Sequence, residues 1–368
     1  MNVQKGKISI WILGAVIVVV LGVVLFKKPS SRYIALTGYA QGGTYTVKLN
    51  IMGEDGRLLC EETKVKTGID SILRMVDNSL SGYNSQSLLS RFNKGEDIIV
   101  NDCFIDIYNK SYQLYEQTGG AVDVASAPLF DIWGFGFTAD SLPAPELVKS
   151  MLDICGLDRL KKDIGSQVDS AGYLKPVSLL VTNNESWLPR LNYNAVAQGY
   201  TCDLIADYLY SEGVKDMLVD VGGEIYCDGL NPSGRQWTIG VDRPVDGNML
   251  TGADIQAVFK VPEGPKGIVT SGNYRKFYMK DGMKFSHTID PRTGYPVQHS
   301  LLSATIMTEA DATAADAYAT YCMVIGLDRA REFIENTDGV EGYLIYDEAG
   351  VMKSWCSKEF VISEVSGK

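Results

Sequence analysis

Residues 286–296 read SHTIDPRTGYP, and two prolines in so short a segment predict a loop built from turns rather than a helix. The loop combines a histidine, an aspartate and an arginine, which offer a proton acceptor, a carboxylate and a guanidinium. His287 is one of two histidines in the whole chain, the other being His299. We therefore take this loop as the first candidate for a chemical site, with an ordinary surface loop as the alternative.

A second motif follows about two dozen residues later, where residues 315–320 read ADAYAT. Asp316 and Thr320 are four residues apart, so on a helix their oxygen atoms point the same way. The alanines around them let another backbone come close. Two such oxygens and a neighbouring carbonyl suit Mg²⁺. A solvated helix face is the alternative, because this spacing is common.

The residues of the loop allow specific chemistry. His287 is suited to take a proton from an attacking hydroxyl, because the ordinary pKa of histidine, about 6.5, is close to neutral pH. Asp290 either orients His287 or caps the turn made by Pro291. Arg292 either binds phosphate oxygens or is solvated. The sequence has no G-x-S-x-G motif and no phosphate-binding loop of the Walker type, which argues against a serine hydrolase and a nucleoside triphosphatase.

The N-terminal residues 1–32 form a predicted membrane anchor or signal segment. Residues 8–26 are apolar and uncharged, with lysines on both sides, and a run of about 19 residues just spans a bilayer. A cleaved signal peptide is the alternative, but no small-x-small cleavage pattern and no nearby cysteine follow the run. We favour an uncleaved anchor that exports residues 33–368.

Charge and cysteine use narrow the function further. The net charge is −11, and the first 32 residues contain five basic residues and no acidic one, so the exported part is more acidic still. Binding of nucleic acid through a general basic surface is excluded. An anionic ligand would need a divalent cation, backbone amides or single arginines. The seven cysteines are scattered without metal-ligand spacing, so we expect no zinc site, and the odd number leaves at least one thiol without an intramolecular disulfide partner.

The order of helix and strand patterns predicts an α+β fold, a single large domain over residues 33–368 with helices outside largely antiparallel sheets. Residues 30–40 read as a linker, and residues 121–137 as irregular structure with glycines and aromatic residues. Predicted strands are 44–49, a region near 173–182, 217–221, 224–228, 237–241, most of 255–308 and a closing hairpin at 342–355. Predicted helices are 69–80, one starting at a cap at Ser85, 103–117, 145–154, one following Gly199, 310–325 and 328–335.

At this point the chain resembles a known family, the flavin transferases called ApbE, which take FMN from FAD and attach it through a phosphodiester to a threonine or serine of a target protein. The resemblance rests on many segments in the same order rather than on any one of them. The segments are Gln41–Tyr45, Ser81–Asn93, Ala121–Gly136, Asn192–Asp203, Val219–Glu224, Thr270–Tyr274, His287–Pro296 and Ala315–Thr320. The fold that the resemblance implies is the ApbE fold, which is similar to T-fold proteins.

The resemblance also implies roles for individual residues. His287 is similar to the family's proposed base, and Asp316 and Thr320 to its Mg²⁺ ligands, joined by the carbonyl of Ala195 or of a neighbouring residue. The residues at positions where the family contacts FAD are Gln41, Tyr83, Ala121, Val122, Asp123, Asn192, Gln198 and Ile289. Two positions depart from the family: an aspartate is common at Asn192, and a lysine or glutamate at Gln198. With neutral amides at these two positions, the metal would have to balance more of the negative charge of the substrate.

The implied reaction uses FAD as substrate and Mg²⁺ as cofactor. A target hydroxyl loses its proton to His287 and attacks the FMN phosphorus, and AMP leaves. The implied acceptor is a protein with a Thr or Ser flavinylation site, and for an exported, membrane-anchored enzyme the family implies a membrane redox subunit. The implied location is the bacterial inner membrane, with the catalytic domain on the periplasmic side.

Three other functions stay open from the residues alone. The first is an FAD pyrophosphatase, in which water replaces the protein hydroxyl and the products are FMN and AMP. The second is a membrane-tethered flavin-binding ectodomain without turnover. The third is a surface protein whose tyrosines and tryptophans bind sugars.

Overall fold

The computed structural model describes residues 31–134, 142–182, 187–245, 248, 252–273, 277–280, 283–358 and 360–364. The predicted anchor at residues 8–26 and the segment Phe135-Gly136-Phe137 therefore lie outside the described residues. Within the ranges just given, no helix is both long enough and apolar enough to cross a membrane.

The strands are short to medium in length and occupy mainly the second half of the chain. They are β1 (Tyr33–Ala40), β2 (Gly43–Asn50), β3 (Ile98–Ile99), β4 (Tyr173–Leu174), β5 (Met217–Val221), β6 (Glu224–Asp228), β7 (Thr238–Asp242), β8 (Ile255–Lys260), β9 (Lys266–Gly272), β10 (Phe277–Lys280), β11 (Met283–Ser286), β12 (Ile289–Asp290), β13 (Tyr295–Pro296), β14 (Leu301–Glu309), β15 (Val340–Glu348), β16 (Val351–Cys356) and β17 (Ile362–Glu364).

The helices are α1 (Glu62–Leu80), α2 (Leu88–Asn93), α3 (Asp102–Gln117), α4 (Ala127–Ile132), α5 (Pro145–Leu152), α6 (Ala197–Ser211), α7 (Ala312–Ile325) and α8 (Leu327–Asn336). Short 3₁₀ helices occur at Val124–Ser126, Leu157–Arg159, Gly165–Gln167 and Pro176–Leu179.

An antiparallel eight-stranded sheet in the order β1-β2-β5-β6-β9-β14-β15-β16 forms the centre of the molecule. Helices α1, α6, α7 and α8 pack on one face of it. A three-stranded sheet in the order β17-β8-β7 covers part of the other face. The predicted α+β class with largely antiparallel sheets is confirmed.

The central strands are buried on both faces, and successive residues alternate between two hydrophobic clusters. Val219 of β5 packs toward α1 and α6, whereas the preceding Leu218 packs toward the three-stranded sheet. In β14, Ile306 packs toward α7 and Met307 toward the other side. This alternation is the two-residue period of an extended chain, and it explains why apolar residues occur at successive positions in these strands.

The prediction that residues 30–40 form a linker is wrong. Residues 33–40 are strand β1, which pairs with β2 from Tyr33 opposite Asn50 to Ala40 opposite Gly43. The two-residue turn between them, Gln41-Gly42, has positive φ angles of 51° and 77°. Tight hairpin turns of this kind match the twist of the strands but usually carry Asn-Gly or Gly-Gly. Because glutamine is unusual at the first position, the sequence of this turn does not indicate a hairpin.

Two other segments also differ from expectation. Residues 121–137 were expected to be irregular, but the part described contains the 3₁₀ helix Val124–Ser126 and helix α4. In the region near 173–182, β4 is the strand and Leu180 forms an isolated bridge with Leu160, but Pro176 begins a 3₁₀ helix between them. The cap of α2 is Ser87, whose side chain accepts a hydrogen bond from the Ser90 N–H, rather than Ser85.

Helices α6 and α7 approach each other closely at Gly199. A Cβ atom at this position would overlap the carbonyl oxygen of Ala312 and lie 3.0 Å from the Cβ of Asp316. Backbone atoms such as this carbonyl cannot rotate away. The absence of a side chain at Gly199 therefore determines how near the two helices come.

We expect Gly199→Ala to lower the free energy of unfolding by about 1–3 kcal/mol, because the added methyl must push the helices apart. At a helix position with free space around it, replacing glycine by alanine instead raises the free energy of unfolding by about 1 kcal/mol. The direction of the change therefore distinguishes a close contact from open space. Urea unfolding measures both values. Gly82→Ala is the matched control, since a Cβ there meets nothing within 4 Å. Unchanged stability of Gly199→Ala would contradict the close contact.

Candidate active site

The contact between α6 and α7 is built from matched pairs of residues. The backbone N–H of Gly199 donates to Oδ2 of Asp316 over 3.2 Å, and Oδ1 of Asp203 accepts from the Ala312 N–H over 2.8 Å. Gly199 and Asp203 are four residues apart on α6, and their partners Asp316 and Ala312 are four residues apart on α7, which is about one turn of each helix. The residue numbers rise along α6 where they fall along α7, so the two helices run in opposite directions. One further turn along α7 leads to Thr320, and Ala195 lies in the turn just before α6 begins. The spacing therefore points the predicted metal ligands toward the same end of the contact.

Asp316 is the most buried acidic group of this region, with 4% of its surface exposed. Burial raises the pKa of its carboxyl well above the ordinary value, the Gly199 N–H opposes this rise, and the charge of Asp203 adds to it. Burial also raises the pKa of Asp203, to about 6. A buried carboxylate is costly unless it is paired, and a hard cation would favour its ionised form. The site therefore fits a divalent ion.

The donors available to such an ion would be mixed oxygen atoms. Thr320 is half-buried, and its hydroxyl lies 3.5 Å from the hydroxyl of Ser271 on β9. Among the residues that the structure describes, no group of three His, Cys, Asp or Glu side chains is placed to hold a metal ion. A carboxylate, a hydroxyl and a backbone carbonyl are the oxygen ligands that Mg²⁺ accepts, and it usually keeps several waters.

His287 lies directly after β11 and is half-buried. The hydroxyl of the next residue, Thr288, donates to Oδ1 of Asn273 over 2.6 Å. Asn273 is two residues beyond Ser271, the neighbour of Thr320. Because alternate residues of an extended chain point to the same side and are about 7 Å apart, the end of β9 links the histidine loop to the Asp316 helix.

The rest of the loop resolves the alternatives for Asp290 and Arg292. The Asp290 carboxylate accepts from the backbone N–H of Arg292 over 3.0 Å and binds its guanidinium through two hydrogen bonds of 2.8 and 2.9 Å. Asp290 therefore caps the turn, and it also raises the pKa of Arg292. The Arg292 guanidinium, which the sequence suggested as a phosphate ligand, is bound instead by a carboxylate of its own loop.

The loop is anchored on its other side by aromatic packing. The indole N–H of Trp133 donates to the Gly294 carbonyl over 2.7 Å, and the rings of Trp133 and Tyr295 meet edge to face with their centroids 5.7 Å apart. Ile289 is buried against Trp133 and Val148. The side chain of Ile289 thus belongs to the core, which leaves its backbone for the predicted FAD contact.

Three predicted FAD-contact positions gather at the start of α6. Nε2 of Gln41, in the β1–β2 turn, donates to Oγ1 of Thr201 over 2.5 Å. The amide of Gln198 lies against Gly222 of the β5–β6 turn, where a Cβ would overlap it. The backbone N–H of Asn192 donates to the Val124 carbonyl over 2.7 Å. This bond joins residues 121–124 to the segment that leads into α6.

The remaining predicted contacts have different surroundings. Ala121 and Val122 are buried. The Asp123 carboxylate accepts from the backbone N–H groups of Ala125 over 2.8 Å and Leu157 over 3.3 Å, so it is engaged locally. Tyr83 lies in the loop after α1 and is 71% exposed. Contact of any of these residues with FAD stays a prediction.

Four residues of the site were not predicted individually from the sequence. Gly199 and Asp203 join α6 to α7, and Ser271 and Asn273 join β9 to α7 and to the histidine loop. Gly199 and Asp203 are spaced by four residues in a helical pattern, which is a local signal. The partners of all four are 15 to 117 residues away in sequence, and no local pattern indicates them.

Comparison with known proteins places this geometry in a defined class. The ApbE family model matches residues 42–344. The FAD:protein FMN transferase of Escherichia coli K12 is 30% identical over 351 residues, which cover 92% of each chain. That of Salmonella typhimurium is 31% identical over 329 residues, covering 87% of each.

Two solved structures are similar throughout the described fold. The flavin transferase ApbE of Vibrio cholerae superposes with a TM-score of 0.71 at 28% identity, covering 90% of this chain and 99% of that one. The apo flavinyl transferase ApbE of Pseudomonas stutzeri has a TM-score of 0.72 at 28% identity, with 89% and 95% covered. These similarities define the class as flavin transferases. The chain belongs to the ApbE family, and the family predicted from the sequence is confirmed.

The burial of Asp123 predicts a dependence of stability on pH. Desolvation is the largest cause that raises the pKa of this carboxyl from 3.8 to about 7, and the nearby charge of Asp158 adds to it. Between these values the folded protein binds a proton that the unfolded chain does not, so this group makes stability fall as pH rises from about 4 to 7. We expect Asp123→Asn to reduce the fall between pH 5 and pH 8 by a few kcal/mol.

Urea unfolding of both proteins at the two pH values measures this difference. Asp153→Asn, which changes an exposed carboxyl at the end of α5, serves as the control and should follow the wild type. An Asp123→Asn variant with the same pH dependence as the wild type would show that the carboxyl is ionised in the folded protein.

Proposed function

We propose that this protein transfers FMN from FAD to a threonine or serine hydroxyl of an acceptor protein, with release of AMP and with Mg²⁺ as cofactor. The observation that carries the proposal is the link between the buried Asp316 and the histidine loop through β9, from Thr320 to Ser271 and from Asn273 to Thr288. This link supports an arrangement in which oxygen ligands on α7 and the His287 imidazole act at the same end of the sheet. FAD:protein FMN transferase is also the name of the relatives from Escherichia coli and Salmonella typhimurium.

The metal would be held by Asp316, Thr320 and the carbonyl of Ala195. When bound, Mg²⁺ neutralises charge on the diphosphate of the substrate. The buried Asp316 supplies the negative charge that selects a cation in this place, and Gly199 keeps its carboxylate in position through the N–H bond described above. Such positioning and charge neutralisation supply most of the rate in phosphoryl transfer.

His287 acts as the general base in this proposal. The acceptor oxygen forms a bond to the FMN phosphorus, its proton passes to the imidazole, and the bond from that phosphorus to the bridging oxygen breaks, so that AMP leaves with the electron pair. Asn273 holds the residue next to His287, and the Asp290–Arg292 pair fixes the turn that follows. The histidine is thereby carried on a loop that is tied down at both ends.

The location of the reaction is also a proposal. The uncharged segment at residues 8–26 with lysines on either side supports attachment to the bacterial inner membrane, with the catalytic domain outside the cytoplasm. A membrane redox subunit would then be an accessible acceptor. Protease treatment of intact spheroplasts tests this location, since only an extracytoplasmic domain is cleaved.

We expect His287→Ala to bind FAD normally but to transfer FMN about 10²–10⁴-fold more slowly, which is the typical contribution of a general base. Single-turnover incubation with FAD, Mg²⁺ and an acceptor peptide, followed by mass spectrometry for added FMN, measures the rate. His299→Gln is the matched control. His299 hydrogen-bonds the Met323 carbonyl at the far end of α7, and glutamine retains a donor there. Equal rates for His287→Ala and the wild type would remove His287 as the base.

The same assay without acceptor separates transfer from FAD hydrolysis. A pyrophosphatase releases AMP at the same rate whether or not the peptide is present, because water is the nucleophile. A transferase needs the peptide, and a flavin-binding protein without turnover releases no AMP in either case.

We expect Asp316→Asn to raise the Mg²⁺ concentration needed for half-maximal transfer by at least about 10-fold. The amide retains the shape and an acceptor for the Gly199 N–H but loses the charge that favours a cation. Asp328→Asn, at an exposed position in the first turn of α8, should titrate like the wild type. A metal response of Asp316→Asn that matches the wild type would exclude Asp316 as a ligand.

A further inference from the structure

Asp203 makes the densest set of hydrogen bonds between α6 and α7. Its carboxylate accepts from the N–H of Ala312 over 2.8 Å, from the N–H of Thr313 over 2.9 Å and from the hydroxyl of Thr313 over 2.5 Å. The two N–H groups belong to the first residues of α7, where no carbonyl of the same helix is available to them. A side chain from another helix supplies the missing acceptors.

Helix α7 also has a cap of its own. Asp311, the residue before the helix, accepts from the N–H of Ala314 over 2.8 Å. The start of α7 is therefore already capped by Asp311, a residue of its own segment. What Asp203 adds is a connection to α6, four residues beyond Gly199.

The register of the two helices depends on this connection. Residues in a helix are separated by about 100° of rotation, so a slip of α7 by one residue would turn Asp316 away from Gly199. The Gly199–Asp316 hydrogen bond is long, at 3.2 Å, and cannot by itself hold the register firmly. The three shorter hydrogen bonds of Asp203 lie one helical turn away, at Ala312 and Thr313. A register shift would break them inside a largely apolar contact, where the polar groups would be left without partners.

We propose that Asp203 is a positioning residue for the metal site: by fixing the start of α7 on α6 it holds Asp316 and Thr320 in register with the Ala195 turn. This inference rests on the proposed function, because it assumes that Asp316 and Thr320 bind a divalent ion. Asp203 does not touch the ion or the substrate in this account. It acts through the helix that carries the ligands.

Binding of Mn²⁺ alone tests the proposal without any turnover. Mn²⁺ takes the same oxygen ligands as Mg²⁺, and the EPR signal of the free ion reports the unbound fraction. We expect Asp203→Ala to weaken Mn²⁺ binding about 10- to 100-fold, the range found when residues that orient metal ligands are changed. Asp203→Asn, which retains one acceptor oxygen, should fall between Asp203→Ala and the wild type.

Asp311→Ala is the matched control, because it removes a carboxylate from the same helix end without touching α6. It should lower stability by about 1 kcal/mol, as loss of a helix cap does, and bind Mn²⁺ like the wild type. If Asp203→Ala does not fold, Asp203→Asn carries the comparison.

The outcomes are separable. Wild-type Mn²⁺ affinity in the Asp203 variants, or an equal loss in Asp311→Ala, overturns the positioning role and leaves the proposed function in place. Absence of Mn²⁺ binding by the wild-type protein overturns both, since the metal site itself would be wrong.

Discussion

The structure depends on the close contact of helices α6 and α7. Gly199 lets the two backbones meet, and the Gly199 N–H and the Asp203 carboxylate form polar links across a largely apolar surface. Helix α7 in turn packs on β9 and β14 in the centre of the sheet. The buried carboxylate of Asp316 is held at this junction, so this candidate ligand lies in a packed helix contact rather than on a surface loop.

The histidine loop is attached to this rigid part by short connections. β9 passes under α7, and its end carries both Ser271, beside Thr320, and Asn273, which holds Thr288. On the outer side, Trp133 and Tyr295 fasten the same loop to the region of α4 and α5. A proton acceptor on a loop gains precision when its neighbours are fixed on both sides, because transfer requires atoms to be placed within a few tenths of an ångström. The architecture places Asp316 in a buried position between two helices and His287 in a half-buried position on the loop.

Much of this could be predicted from the sequence because the decisive patterns are local. The i, i+4 pair Asp316 and Thr320 indicates a shared helix face, and the prolines around His287 indicate a turn. The order of segments predicted the family, which the comparisons confirm. Pairings across the fold were not predictable, since the partners of Asp203 and Asn273 are set by the meeting of distant segments. Strand β1 was missed because its turn uses Gln41-Gly42 in place of a familiar pair. The role of Asp290 was left open because a carboxylate before proline suits both a cap and a ring partner.

The conformation of Gln41 has a consequence for the way the site is prepared. A residue with a side chain at a φ of 51° is strained relative to glycine, yet here it ends in a hydrogen bond to Thr201 on α6. The hydrogen bond fixes the direction of the Gln41 amide in the absence of any ligand. Because the strained turn is closed by eight residue pairs, the hairpin keeps this conformation, and a molecule bound at the start of α6 would meet an amide that is oriented in advance.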